Sequence, residues 1–252
     1  VSIEHLDSNR FSLIEGPPAG DAKKSFIRRM FADIHKKYDL LNSILSFGQD
    51  RRWRRLAVRD VTGDGLTIDL CGAGGQMARE LLLNKRFGGS VVIADFSREM
   101  LSHCPKTLTS RFIGRYHLVV CDVERLPFRD LSFTNAISAF GLRNLCNLSA
   151  FSREVHRVLS GGGQARFLEI GHPESFFISR IFNIYFYAVS PKLARLFTVT
   201  TYAYRYLPKS LKVFPPQPDV IGVLSDGWKN GYYRNILGGV AVVYRLEKDT
   251  DA

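Results

Sequence analysis

Apolar side chains recur at helical spacing between Ala22 and Tyr38, where Phe26, Ile27, Met30, Phe31 and Ile34 share one face. The spacing predicts a helix there, a second near Leu40–Phe47 and a third near Asp50–Arg59. Ahead of them residues 1–21 read as a flexible arm, because Gly16-Pro17-Pro18 interrupts any helix. The pattern then changes. Short apolar runs predict strands at Leu66–Leu70, Ser90–Ala94, Leu118–Cys121, 133–139 and Gln164–Ile170. Helical stretches separate them at about Gln76–Lys85, from near Ser97 and at about Leu148–Leu159, and Gly161-Gly162-Gly163 reads as a turn before the fifth strand. Strands alternating with helices imply an α/β fold, a parallel sheet with helices on both faces and right-handed crossovers. The last third differs. Ser175–Phe197 is apolar and aromatic at helical spacing, followed by a tyrosine cluster at 202–206, a Pro-rich link at 215–218, a short helix near Asp219–Asp226 and two strand-like runs at 231–237 and 239–246.

Composition narrows the function classes. A chain of 252 residues with 45% apolar content suits one core-forming domain, alone or with an appendage. Cys71, Cys104, Cys121 and Cys146 include no C-x-x-C pair, so no zinc ribbon or dithiol motif is present, no metal site is expected, and a reducing compartment fits. The most apolar run, Phe176–Val189, is broken by Arg180 and is short of the ~18 residues of a membrane span. The beginning, VSIEHLDSNR, has no apolar signal core; it also lacks Met, which leaves a removed leader or a trimmed terminus open. Net charge is +11, and residues 23–59 hold 11 Lys and Arg against 3 Asp and Glu. An anionic partner is therefore in view: a membrane face, a nucleic acid or an anionic ligand. Nucleic acid is the weaker option, since no RNA-binding motif or basic stripe with interleaved aromatics is found.

Three strand ends carry candidate chemistry. Ile68-Asp69-Leu70 runs into Cys71-Gly72-Ala73-Gly74-Gly75, a loop whose glycines permit a tight turn and close approach of a ligand. The helix after it offers free N–H groups to an anionic moiety. It is neither a G-x-G-x-x-G fingerprint nor a phosphate-binding loop with Lys-Ser/Thr. Asp95 ends the next strand, where a carboxylate can accept both hydroxyls of a ribose or serve the following helix as a cap. Asp122 ends the third, placed either for an adenine edge or for a turn. Together they describe a nucleoside-bearing ligand over three neighbouring strand tips.

Past the fourth strand stands Ala139-Phe140-Gly141-Leu142-Arg143-Asn144. With it come Lys37-Tyr38-Asp39-Leu40-Leu41-Asn42, Phe47 with Asp50-Arg51-Arg52-Trp53, Asp95-Phe96-Ser97, Leu126-Pro127-Phe128, Leu168-Glu169 and Ala203-Tyr204-Arg205-Tyr206-Leu207-Pro208. In these runs, across about residues 24–247, the chain resembles the ubiquinone/menaquinone biosynthesis C-methyltransferases.

The resemblance implies a Rossmann-like class I methyltransferase with a seven-stranded, mostly parallel sheet whose last pair includes an antiparallel strand. It implies S-adenosylmethionine as the methyl donor and a ring carbon of a polyprenylated quinol as the acceptor. It assigns catalysis to Arg143, Asn144 and Tyr38, and cofactor binding to Asp69, Gly72, Ala73, Gly74, Asp95, Phe96, Asp122, Val123 and Ala139. Phe140, Tyr204 and Tyr206 become substrate contacts. Arginine is a poor base, so Arg143 is expected to stabilise a developing phenolate and orient water. The implied division is an arm over 1–21, helices over 22–60 covering the active site and a methyltransferase domain over 61–252, with a substrate-cap insertion at about 174–212. The implied setting is cytoplasmic and peripheral at the inner membrane face, or the matrix side in a mitochondrion, with a homodimer or a quinone-biosynthesis complex as options. The chain departs from the family at the loop, where Asp69 is followed by CGAGGQ with Gln76 in the closing acidic position, and at Thr134, Thr200 and Tyr202. A non-catalytic subunit of this fold, and a methyltransferase for another small phenol or for RNA, stay open from the sequence.

Overall fold

The computed structural model describes residues 20–190, 192–193 and 201–250, with only the backbone of 201–205. Of the predicted arm, Gly20 and Asp21 alone fall in that range, and both already belong to a helix. Three helices open the chain: α1 (Gly20–Ile34), α2 (Tyr38–Leu45) and α3 (Gln49–Val58). The predicted single helix to Tyr38 is thus split by a turn. The apolar face of α1 buries Ile27, Met30 and Ile34 against Leu41 of α2 and Tyr206.

The sheet follows: β1 (Thr67–Leu70), α4 (Gln76–Leu82), β2 (Val91–Asp95), α5 (Arg98–Leu101), α6 (Cys104–Leu108), β3 (Tyr116–Val120), β4 (Phe133–Ala139), α7 (Leu148–Val158) and β5 (Leu159–Ile170). After β5 come α8 (Phe176–Asn183), which runs on as π-helical turns to Val189, then α9 (Thr201–Val213), α10 (Gln217–Leu224), β6 (Asn230–Ile236) and β7 (Ala241–Glu247). The strand order is β3-β2-β1-β4-β5-β7-β6, with β1 to β5 parallel and β7 antiparallel to both neighbours. This is the expected seven-stranded α/β architecture.

One prediction is corrected. Gly161-Gly162-Gly163 is not a turn ahead of the strand but lies within β5, which begins at Leu159. The register slips there: Leu159 pairs with Phe133 and Gln164 with Asn135. The surplus residues are held from the tail, since Gly162 N–H donates to Asp249 O at 3.0 Å and Lys248 N–H to Gly163 O at 2.9 Å. Gly162 at φ +69° supplies the left-handed conformation of such a bulge.

Each sheet face has its own apolar core. Ile68, Leu70, Phe151, Phe167 and Tyr244 fill one under α7 and α10. Trp53, Ala57, Ile93, Ile137 and Leu168 fill the other under α3 and α4. Local caps fix the helices that start near the strand tips: Asn147 Oδ1 accepts Ala150 N–H at 2.9 Å to open α7, and Ser97 Oγ accepts Met100 N–H at 3.2 Å to open α5.

Candidate active site

The loop after β1 is strained in the way its composition allows. Cys71, Ala73 and Gly75 all have positive φ, at +54°, +48° and +83°. A Cβ on Gly72 would come within 2.4 Å of Ile93 Cγ2, so glycine is required for the loop to lie over β2. Ala73 holds the loop from both sides: its N–H donates to Asp95 Oδ2 at 3.0 Å, and its carbonyl accepts the Cys104 thiol at 3.3 Å.

Asp69 is wholly buried at the end of β1, one oxygen accepting Ala78 N–H at 3.0 Å and the other, Oδ1, without a partner. Burial pushes its pKa up to about 8, with the nearby Arg54 working the other way. A narrow cleft is lined by Tyr38, Arg54, Asp69, Gly72, Ala73 and Ala139, with Gln76 and Met77 at its side. An orphaned carboxylate oxygen, left-handed loop residues and a glycine that no other side chain could replace suit the cationic, amino-acid-bearing end of S-adenosylmethionine. The cleft holds only about 10 Å³ of free space. It is closed by α2, whose Asp39 accepts the Gln76 side-chain amide.

The other tip residues are placed as follows. Asp95 is 4% exposed and accepts Ser97 N–H at 2.9 Å besides that of Ala73; burial raises its pKa to about 6. It therefore braces both the loop and the start of α5. Asp122 stands outside the cleft, accepting Glu124 N–H at 2.9 Å in its own turn and Lys24 of α1 at 2.6 Å. Lys24 also pairs with Glu124 at 2.9 Å, so α1 straps the β3 tip. Val123 is packed in the core and Phe96 against the α1 cluster. Gly74 is buried, with Asp39 and Gln76 beside it. The Tyr204 side chain lies outside the described residues.

Across the β4 tip, Phe140 has φ +62°, a left-handed conformation unusual for a bulky residue, and its ring lies 5.0 Å from the Arg54 guanidinium. Arg143 follows in a 3-10 turn, Leu142–Asn144. Its guanidinium pairs with Glu169 of β5, and Nη1–H also donates to Phe140 O at 3.1 Å. Both partners are buried, and the Arg143 Nε–H is left without an acceptor. Burial works against the Arg143 charge, but Glu169 together with Tyr38 and Tyr206 outweighs it, so the pKa is raised. Asn144 donates to Phe140 O at 3.3 Å and accepts from the Tyr206 hydroxyl at 3.2 Å. Tyr38, Arg143, Asn144 and Tyr206 share one small cavity, and burial raises the pKa of both tyrosines.

Arg143 and Phe140 also form the floor of a larger cavity, about 300 Å³, between the α2–α3 turn and α8. Its walls are apolar: Phe47, Trp53, Ile181, Phe182, Tyr185 and Leu207 among others. Asp50 is the one carboxylate among the described lining residues. It pairs with Arg54 and accepts the Ser46 hydroxyl at 3.0 Å. The buried amide of Asn42 and the Trp53 indole N–H, both on this lining, lack partners. The site residues missed from sequence are thus Glu169, Asp50, Arg54 and Asn42. All four lie in or beside the runs that carry the resemblance, but nothing in their spacing says which ones meet.

Comparison with known proteins shows the family and the fold. The sequence pattern of the ubiE/COQ5 methyltransferase family matches residues 19–248. The chain is 35% identical over 232 residues to the ubiquinone/menaquinone biosynthesis C-methyltransferase UbiE of Xylella fastidiosa (strain M23), covering 90% of this chain and 91% of that protein. It is 36% identical over 226 residues to UbiE of Geotalea uraniireducens (strain Rf4), covering 88% and 96%. Among solved structures, a SAM-dependent methyltransferase from Thermotoga maritima superposes with a TM-score of 0.63 at 14% identity, covering 88% of this chain and 99% of that one. Phosphoethanolamine N-methyltransferase 2 of Haemonchus contortus, in complex with S-adenosyl-L-methionine, gives 0.55 at 12% identity, covering 78% and 52%.

Proposed function

The chain belongs to the ubiE/COQ5 methyltransferase family, an S-adenosylmethionine-dependent enzyme of the class I fold, and we propose that it methylates a ring carbon of a polyprenylated quinol. The observation that carries this reading is the cavity of about 300 Å³, apolar on its walls and floored by the buried Arg143. A flat ring with hydroxyl groups and an isoprenoid tail has the matching chemistry.

The donor supplies an electrophilic methyl group. We assign its amino-acid end to Asp69, Gly72, Gly74 and Ala139, its ribose to Asp95 with Phe96, and its base to the neighbourhood of Asp122 and Val123. A ligand of nucleoside size needs the cover to lift, because Gln76 and Asp39 meet across the cleft. The helices over 22–60 act as that cover, and the segment over about 174–212 as the substrate cap.

A ring carbon becomes nucleophilic once the adjacent hydroxyl gives up its proton. Arg143, paired with Glu169, lines the cavity with its guanidinium, which would stabilise the oxyanion. Tyr38 is held neutral by burial and can donate to the same oxygen. Asn144, oriented by Tyr206, fixes the carbonyl of Phe140 beneath the ring. Asp50, on the lining of the same cavity, is the carboxylate that would take the proton, directly or through water.

We propose a peripheral membrane setting as well, supported by the same surface. Phe47, Ile181 and Leu237 line the cavity and are also exposed, so its mouth is apolar. Among the described residues no helix is long and apolar enough to cross a membrane. Incubation with methyl-labelled donor and a demethylquinol tests the reading: label should appear on the ring carbon. Label on oxygen, or none at all with bound donor, would rule it out.

A further inference from the structure

Arg166 of β5 and Arg245 of β7 are direct partners across the antiparallel ladder, and Tyr232 of β6 is the next in the row. They point to the face that carries Ile137, Leu168 and Val243 against α3. With Asp60, just past the end of α3, and Gln164, they border a polar cavity of about 300 Å³. Gln164 precedes the middle of β5 and Asn230 begins β6, so this cavity opens toward the edge of the sheet opposite the tips that hold Asp69 and Phe140.

Two arginines and two carboxylates line the cavity, but among the described residues Arg166 has no direct ion pair. Arg166 is 4% exposed, and its hydrogen bonds go to neutral groups, Gln164 Oε1 at 2.5 Å and Asn135 Oδ1 at 3.5 Å. Its Nε–H has no partner. Arg245 donates to Asp60 Oδ2 at 2.9 Å, and its Nε–H also has no partner. Asp60 is shared further with Arg59 at 3.2 Å. Glu247, the other carboxylate on the lining, is 4.0 Å from Lys229. Like charges facing across strands repel, and a buried cation without a counter-ion is costly. Burial first and Arg245 second pull the Arg166 pKa down to about 10.

We propose that this cavity is a second ligand site, which takes a small oxyanion of the phosphate class between the guanidinium groups of Arg166 and Arg245. A guanidinium pair matches tetrahedral oxyanions in charge and donor spacing. The cavity has room for an organic group beyond the phosphate, which makes a phosphomonoester the fitting chemistry. The phosphate can belong to a free metabolite or to a lipid headgroup. The inference does not depend on the methyl-transfer reading.

Inorganic phosphate is the first probe, used on the full chain against chloride at matched ionic strength. Calorimetry should show one saturable site. At about ten times the dissociation constant the melting temperature should rise by about 2–4 °C. Arg166→Met should abolish the phosphate response and match or exceed the wild-type melting temperature in phosphate-free buffer, since it removes an uncompensated buried charge. Asp60→Asn should tighten phosphate binding by removing the competing carboxylate. Sedimentation with phosphatidylcholine vesicles, with and without phosphatidic acid, separates the sources: binding only to the acidic vesicles, lost in Arg166→Met, assigns the headgroup. Phosphate binding without that difference assigns the free ester. No saturable phosphate binding in either the wild type or Asp60→Asn, together with a lowered melting temperature for Arg166→Met, would overturn the proposal and leave the arginines a structural pair.

Discussion

Glu169 holds Arg143 at two points, accepting the backbone N–H at 3.1 Å and also pairing with the guanidinium. The carboxylate is 0% exposed, and among the described residues its hydrogen-bond partners are Arg143 and the Ile170 N–H at 2.8 Å. Glu169→Gln keeps the shape but leaves a buried guanidinium without its anion, and breaking such a pair costs about 3–5 kcal/mol. Denaturant titration should show a loss of that order, accompanied by loss of turnover. A variant as stable as wild type would mean that water already screens the pair.

Arg143→Lys separates charge from shape. Lysine keeps a positive charge but loses the planar fork that meets Glu169 and Phe140 O while leaving Nε–H free. Removing one aligned oxyanion donor typically costs about 10²–10³ in kcat. Calorimetry with S-adenosylmethionine should be nearly unchanged, since Arg143 is not on the lining of the cofactor cleft. Retained kcat with weakened cofactor binding would contradict the role assigned to Arg143.

Gly72→Ala tests the loop. The added Cβ would meet Ile93 Cγ2 at 2.4 Å and Asp69 O at 3.1 Å, so either β2 or the loop must shift. Overpacking of this kind costs about 1–3 kcal/mol. Calorimetry should show the cofactor affinity gone while circular dichroism shows the fold kept. Unchanged affinity would mean that the donor does not sit on this loop.

Much of this was legible from residue patterns because each sheet unit is local: an apolar run, a turn, an amphipathic helix. Asp69, Asp95 and the FGLRN run sit at strand ends, where a one-dimensional reading places them. What escaped depends on partners far along the chain. Gly161-Gly162-Gly163 has turn composition, and only pairing with Lys248 and Asp249 keeps it in a strand. Glu169 looks like one polar residue in a buried strand until Arg143 folds over it. Asp50 reads as a first-turn helix acid, yet the turn before α3 directs it to the cavity. Asp122 reads as an acid for an adenine edge or for a turn, and its bond to Lys24, 98 residues away, is not legible from spacing.

The cover should control cofactor access. Gln76 and Asp39 bridge the cleft between α4 and α2. Gln76→Ala removes the bridge without touching Asp69 or Asp95. Stopped-flow measurement should show faster S-adenosylmethionine association than in the wild type. An unchanged association rate would mean that α2 does not gate the cleft.

Acid should stabilise the cofactor-free protein through the same carboxyls. A carboxyl whose pKa rises on folding favours the folded chain while protonated; that advantage is complete below its unfolded value and vanishes as pH climbs through the folded one. Asp95 rises from 3.8 to about 6 and Asp69 from 3.8 to about 8, both through burial. Their contribution to stability should therefore fall between about pH 4 and pH 8. Asp69→Asn cannot ionise and should flatten the upper part of that decline in a melting series. Parallel curves for the two proteins would show that Asp69 ionises freely.

The apolar rim makes the last prediction. Phe176 and Phe177 are 81% and 71% exposed at the start of α8, and Phe47 is 73% exposed across the cavity mouth. Burying one such side chain in lipid is worth about 1.5–3 kcal/mol, so two together are worth at least about a hundredfold in vesicle affinity. Neither Phe176 nor Phe177 lines the cavity, so replacing both with serine leaves the floor at Arg143 and the walls intact. The double variant should methylate a short-tailed, water-soluble quinol at the wild-type rate and lose most activity on a long-tailed quinol in vesicles. An equal loss on both substrates would place these rings in the fold of α8 rather than at a lipid surface, and an equal rate on both would mean that the quinol reaches Arg143 by another route.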